Sequence, residues 1–169
     1  MRRRFAGIRR LAGLLLFCAV AACPALAQQE EPKLNPIKWS LKAQLPAAPP
    51  KVGEKFTVAL TAEIERGWHL YSTTPIEGGP RPTRITLVTG QGFESAGDVE
   101  MPDPLVEKDP NFGVEVEFYE GQVTFTLPVR VAANSAAGQR SVAVQVRYQT
   151  CNDKLCLPPN LLKLETPVA

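Results

Sequence analysis

Apolar and polar side chains alternate along most of the chain with a period of two. Val142, Val144, Val146 and Tyr148 form the cleanest run, with Gln145 and Arg147 between them. Phe56, Val58, Leu60, Ala62 and Ile64 form a second run, and Val123, Phe125, Leu127 and Val129 a third. Successive side chains of a strand point to opposite faces, so each run predicts a strand with one buried face. Shorter strand candidates are residues 37–43, Trp68-His69-Leu70-Tyr71, residues 84–89, the alternating Val114, Val116 and Phe118, and residues 157–165.

The segments between the runs carry turn chemistry. Residues 45–50 are a Pro-rich connector, and residues 74–82 hold Pro75, Gly78, Gly79, Pro80 and Pro82. Residues 101–113 (MPDPLVEKDPNFG) read as a second Pro-rich loop. Glu120-Gly121 predicts a hairpin, and residues 134–138 a turn. No segment after the first 27 residues has a helical period, and no unit repeats. Seven or eight short strands separated by turns predict an all-β fold, an immunoglobulin-like β-sandwich. A closed barrel is the main alternative. The cross-sheet cysteine pair of antibody domains is absent.

The N-terminus follows different rules. Arg2, Arg3, Arg4, Arg9 and Arg10 precede a short apolar run over residues 11–22, and Ala25-Leu26-Ala27 is a small-x-small cleavage site. This is the pattern of a secretory signal peptide, too short for an ordinary membrane span. Val20-Ala21-Ala22-Cys23 also resembles a bacterial lipobox, although Pro24 is an awkward neighbour for lipidation. The primary expectation is therefore a signal over residues 1–27, a flexible leader over 28–36 and one folded domain over 37–169. Anchoring to a membrane is expected only through a lipid on Cys23. No second apolar segment of membrane length follows.

Removing the signal changes the charge. The whole chain carries +2, but five of its 19 basic residues lie in the signal and none of its 17 acidic ones does. The remainder has 14 basic against 17 acidic side chains, a net of −3. The basic balance belongs to the export signal and gives no reason to expect a nucleic-acid partner.

Of four cysteines, Cys18 and Cys23 leave with the signal, so the domain keeps Cys151 and Cys156. In an exported protein such a pair is by default a disulfide. Cys151 is out of phase with Val142, Val144, Val146 and Tyr148, so it is expected to point away from the core unless a bulge intervenes. Asn152-Asp153-Lys154-Leu155 suits a four-residue hairpin connection that would set the cysteines opposite each other, within disulfide reach. A bridge closing so short a loop contributes only about 2 kcal/mol in the chain-entropy model, a weak staple. A structural disulfide and a redox pair stay equally open on this reasoning. Metal is disfavoured: structural zinc typically takes four Cys or His ligands. His69 is the sole histidine and Met101 the sole methionine after the signal. No cofactor is expected.

Tyr148-Gln149-Thr150-Cys151, a short loop, then Cys156-Leu157-Pro158-Pro159 resembles the paired-cysteine signature of the N-terminal periplasmic domain of DsbD, the thiol:disulfide interchange protein. Gly67-Trp68-His69-Leu70-Tyr71 resembles that family's Gly-aromatic-aromatic-Leu-Tyr segment. Phe118-Tyr119 followed by Thr126-Leu127-Pro128-Val129 resembles its Tyr…Leu-Pro-Val stretch. The similarity spans roughly residues 37–165.

The resemblance implies an immunoglobulin-like fold with Cys151 and Cys156 as a redox pair on a hairpin, and Cys156 as the cysteine that forms the mixed disulfide. It implies protein-disulfide reduction in the periplasm. Electrons would come from a thioredoxin-like domain served by a membrane thiol transporter. They would pass to thioredoxin-fold acceptors such as disulfide isomerases and cytochrome c maturation thioredoxins. Tyr71, Asp109, Phe112 and Tyr148 are the implied surroundings of the pair. His69, where the family has an aromatic, is expected to pack. The family's capping phenylalanine aligns with Asn111, one residue before Phe112. Lys154 is a local cation that would favour a thiolate, opposed by Asp153. The family's full transporter continues into a multispanning and a thioredoxin-like domain that this chain lacks, so separate partners are expected. The rival reading is a non-catalytic binding module with a structural disulfide.

Overall fold

A computed structural model describes residues 34–168, apart from 91, 136, 137 and 139. The expected signal peptide, the lipobox with Cys23 and most of the leader lie outside the described residues. No helix among the described residues is long and apolar enough to cross a membrane.

Eleven strands follow one another: β1 (Ile37–Gln44), β2 (Lys55–Ile64), β3 (His69–Tyr71), β4 (Arg84–Leu87), β5 (Phe93–Ser95), β6 (Leu105–Lys108), β7 (Glu115–Tyr119), β8 (Gln122–Val131), β9 (Arg140–Tyr148), β10 (Thr150–Cys151) and β11 (Asn160–Val168). They form three antiparallel sheets, ordered β1-β2-β8-β5, β11-β9-β4 and β10-β3-β7-β6. The sheets are open, each with two edge strands, so the barrel alternative falls away. All the longer expected strands are present. The three additional ones, β5, β6 and β10, are two to four residues long, too short for a period of two to register. β6 lies within the segment expected to be a Pro-rich loop, between Pro104 and Pro110.

The main core lies between the first two sheets. It joins Phe56, Val58, Leu60, Ala62 and Ile64 of β2, alternate residues of β8 from Val123 to Val131, and Val142, Val144, Val146 and Tyr148 of β9. Each large apolar side chain so buried contributes about 1.5–3 kcal/mol. Pro128 interrupts β8 where an internal strand normally excludes proline. Its carbonyl accepts from Ala96 N at 2.9 Å, just beyond the end of β5. The missing N–H points the same way, past β5, so the ladder to β2 is spared.

The third sheet is made of continuations. β2 passes into β3, β7 into β8 and β9 into β10, each across a link of one to four residues. Glu120-Gly121 is therefore not the expected hairpin: β7 pairs with β3 and β6, whereas β8 pairs with β2 and β5. Gly121 has φ 63°, a conformation that disfavours any side chain. Its carbonyl accepts from Ile64 N at 2.7 Å, so the switch is hydrogen-bonded to the end of β2.

Candidate functional site

β10 is the edge of the third sheet and carries the first cysteine. Thr150 faces Leu70 and Cys151 faces His69 across the antiparallel pair with β3, and the Thr150 hydroxyl donates to the His69 carbonyl at 2.8 Å. The chain then turns back through Asn152-Asp153-Lys154-Leu155. Asn152 N donates to the Leu155 carbonyl at 2.9 Å. The Asn152 carboxamide oxygen accepts from the amides of Lys154 at 2.9 Å and Leu155 at 2.8 Å. This is the local chemistry by which Asn favours turns. It sets Cys151 and Cys156 opposite each other with Cα atoms 4.1 Å apart, joined by a disulfide.

Four hydrogen bonds thus hold the turn and its root without the sulfurs, counting Leu157 N to the Thr150 carbonyl at 3.0 Å. The disulfide adds about 2 kcal/mol or less to a hairpin already shaped. Reduction is expected to leave the domain folded and to lower its Tm by only a few degrees. Thermal unfolding followed by circular dichroism with and without reductant checks this; unfolding on reduction at ambient temperature would contradict it.

Cys151 is fully buried, not directed to solvent as its phase suggested. The phase argument assumed one continuous strand, but the chain changes sheet at Gln149. Cys151 does leave the main core. It enters a separate cluster with Tyr71, Val116 and Phe118, against which Ile76, Phe112, Val114 and Cys156 pack partly buried. Cys156 is the more accessible residue of the two, and Leu155 beside it is 47% exposed.

A buried polar network stands within this cluster. The Tyr71 hydroxyl donates to Asp109 Oδ2 at 2.6 Å, and His69 Nε2 lies 3.1 Å from that hydroxyl and 3.4 Å from the same carboxylate oxygen. Asp109 Oδ1 accepts from the amides of Asn111 at 2.7 Å and Phe112 at 3.2 Å. Burial pushes the Asp109 carboxyl up, but these hydrogen bonds and the charge of His69 outweigh it and hold the group below the usual carboxylate range. Burial, followed by the bond and charge of Asp109, pushes the Tyr71 hydroxyl well above its ordinary value. The network therefore holds a carboxylate and a neutral phenol.

The loop after β6 closes over the pair. Asp109 N donates to the Val114 carbonyl and Gly113 N to the Asp109 carbonyl, folding residues 109–114 into a tight arch. From this arch the Phe112 ring meets Tyr71 edge-on, centroids 6.0 Å apart. Asn111 Nδ2 donates to the Asn152 carbonyl at 2.9 Å, tying the arch to the cysteine turn. At the two positions aligned with and next to the family's capping residue, Phe112 packs against the cysteine cluster and Asn111 is bonded to the cysteine turn.

Of the expected surroundings, Tyr71, Asp109 and Phe112 meet around the pair and Tyr148 does not. The Tyr148 ring sits in the main core 5.2 Å from Trp39, its hydroxyl bonded to Asn35 and Asn160. Its alternation with Val146 places it there. Lys154 and Asp153 are exposed at the turn. His69, expected only to pack, is the residue underestimated. Its signal was spacing: His69 and Tyr71 are two apart on one strand and so share a face. Among the described residues no group of three His, Cys, Asp or Glu side chains could hold a metal ion.

Among curated proteins no sequence matches significantly. Among solved structures, the N-terminal periplasmic domain of ScsB from Proteus mirabilis is similar, with a TM-score of 0.54 and 17% identity over 82% of this chain and 48% of that one. The chain thus spans about half the length of that neighbour. The full-length major pilin SpaD from Corynebacterium diphtheriae also matches, at a TM-score of 0.35 and 10% identity over 77% of this chain and 34% of that one. The family model for the N-terminal part of the thiol:disulfide interchange protein DsbD matches residues 41–166, which take in every strand from β2 to β10, the arch and both cysteines. The chain belongs to the family of DsbD N-terminal domains, and is a domain of the thiol:disulfide interchange type.

Proposed function

We propose that the chain is an exported domain that relays reducing equivalents through Cys151 and Cys156 to thioredoxin-fold acceptors in the periplasm. The observation that carries this reading is the placement of the pair. One cysteine is fully buried, the other is partly buried at the end of a turn held by its own hydrogen bonds, and the 109–114 arch is tied to that turn.

The exchange runs in two steps. The Cys156 thiolate attacks one sulfur of the acceptor disulfide; a mixed disulfide forms and the other acceptor sulfur leaves as a thiolate that takes a proton. Cys151 then loses its proton and attacks Cys156 Sγ, releasing the second acceptor thiolate. One dithiol is oxidised and one disulfide reduced. A membrane thiol transporter working through a thioredoxin-like dithiol returns the domain to its reduced form. The acceptors are disulfide isomerases and cytochrome c maturation thioredoxins. The arch keeps the pair from small oxidants until a partner displaces Phe112. The signal over residues 1–27 delivers the domain, with lipid anchoring at Cys23 as the alternative processing.

Redox titration of the domain against dithiothreitol, read by thiol labelling, tests the relay. A midpoint in the range of known exchange proteins, roughly −120 to −270 mV, supports it. Resistance to reduction while the fold is intact would leave the pair a structural bridge in a binding module.

Phe112→Ala is expected to speed reduction of the pair by a small thiol severalfold without displacing the midpoint, because it removes shielding and no electron carrier. Stopped-flow reduction rates check this; an unchanged rate would deny Phe112 its shielding role.

A further inference from the structure

Six arginines follow the first 27 residues. Arg130 pairs with Glu94 and Arg140 lies over the Phe93 ring. Three others, far apart in sequence, come together on the outer face of the β11-β9-β4 sheet. Arg84 and Arg147 are direct cross-strand partners. Arg81 and Arg147 line one shallow hollow with Pro159, Asn160 and Leu161. Arg84 and Arg147 line the adjoining one. All three arginines are exposed. A net charge of −3 for the residues after the first 27 conceals this patch.

Like charges directly opposite on a sheet are unfavourable. Two other exposed basic side chains are matched by a carboxylate, in Arg130–Glu94 and Lys163–Glu165. Among the described residues no ion pair includes Arg81, Arg84 or Arg147. The guanidinium fork matches a carboxylate in two-point geometry. Leu161, in register with Arg147 and 54% exposed, sets an apolar contact among the three charges. Arginine around an exposed apolar residue is the composition of a protein-binding surface.

The patch adjoins the cysteine turn. Arg147 precedes Cys151 by four residues and Asn160 follows Cys156 by four. The Gln149 side chain joins the two, accepting from Arg81 N at 2.8 Å and donating to the Leu157 carbonyl at 3.4 Å. Four residues of strand span about 13 Å at most. A standard interface of about 800 Å² per partner has a radius of about 16 Å. A protein that docks on Cys156 therefore covers this patch in the same footprint.

We propose that Arg81, Arg84 and Arg147 form the docking surface for an acidic redox partner, one that presents carboxylates beside its own reactive disulfide. This rests on the relay proposed above and names the partner surface it uses. The patch steers such partners to Cys156 and disfavours basic ones.

The test uses two disulfide peptides of equal length, one bearing glutamates and the other lysines at the same positions. Their rates of oxidising the reduced domain are compared at low and high salt. The glutamate peptide is expected to react about tenfold faster at low salt, an advantage that high salt erases. R81E/R84E/R147E should invert the preference and R81Q/R84Q/R147Q should remove it, with Tm of each variant within a few degrees of the parent. Equal rates for the two peptides, or a preference that survives the reversal, overturns the proposal. Dithiothreitol exchange is the control for the relay itself: a pair that exchanges with neither peptide nor dithiothreitol refutes the relay. Fluorescence anisotropy of a disulfide-free glutamate peptide then still reads the patch. Tighter binding of a thymidine oligonucleotide than of that peptide assigns the surface to nucleic acid and overturns the protein partner.

Discussion

Cys151→Ala is expected to trap a mixed disulfide on Cys156, and Cys156→Ala to trap none. The two cysteines differ in access: Cys151 is fully buried among Tyr71, Val116 and Phe118, whereas Cys156 is only partly covered and borders the exposed Leu155. An acceptor disulfide must reach the attacking sulfur in line, so Cys156 is the cysteine expected to begin the exchange. With Cys151 gone, nothing resolves the intermediate and it accumulates. With Cys156 gone, exchange falls to background. Deleting one buried thiol, which leaves the methyl group of alanine, costs about 1 kcal/mol in packing, so Cys151→Ala is expected to fold. Non-reducing electrophoresis of each variant with an oxidised thioredoxin, followed by mass spectrometry of the adduct, gives the answer. Adduct from Cys156→Ala alone would reverse the order of attack.

Asp109→Ala carries the largest expected loss of stability. Its carboxylate is the common acceptor for the Tyr71 hydroxyl and the amides of Asn111 and Phe112, and it lies beside His69. Removal leaves a buried phenol and two arch amides without their partner, at a cost of about 3 kcal/mol. For a domain of this size that corresponds to a Tm about 10 °C lower. The arch should open as well, so the pair becomes easier to reduce. A Tm within 2–3 °C of the parent would mean that the arch stands without Asp109, against an expectation of about 3 °C per kcal/mol.

The same network fixes how stability depends on pH. The Asp109 carboxyl is held below its ordinary value of 3.8. Its contribution is therefore full above that value and is lost as the pH falls through the lower folded one. The Tyr71 hydroxyl is held above its ordinary value of 10.0. Its contribution is full below that value and is lost as the pH rises beyond it. Asp109→Asn should flatten the acid limb of the stability curve. Tyr71→Phe should reduce the alkaline limb and leave a remainder from Tyr119, which burial and the charges of Glu117 and Asp103 also push up. Denaturant midpoints across the pH range measure both limbs.

The residues legible in advance share a property: one local rule governs each. Val58, Phe125 and Val144 follow a period of two within long strands, so their burial could be read directly. Asn152 builds its turn from its own side chain, so the hairpin could be read as well. Cys151 could not, because its burial depends on a change of sheet at Gln149 that no local pattern marks. Glu120-Gly121 has the composition of a hairpin and the role of a sheet switch for the same reason. Tyr71 and Asp109 entered through family resemblance, since a sequence separation of 38 conceals a 2.6 Å bond. The arginine patch is the furthest from legibility. It exists only once β4 lies beside β9, and charge totals average it away.

The three strands that reach the site from the sandwich have a mechanical consequence. β3, β7 and β10 are cantilevers, each rooted in a long core strand and joined to it by at most four residues. Ladder pairing ties them to one another, β10 to β3 and β3 to β7, so the cysteine turn is not expected to act as a hinged flap. Motion that uncovers the pair is left to the arch between β6 and β7. A load applied through a mixed disulfide on Cys156 would pass through residues 157–159 into β11, and through the turn into β10 and β9, so the β11-β9-β4 ladder would share it. A partner bound there would pull on a sheet and not on a loose loop.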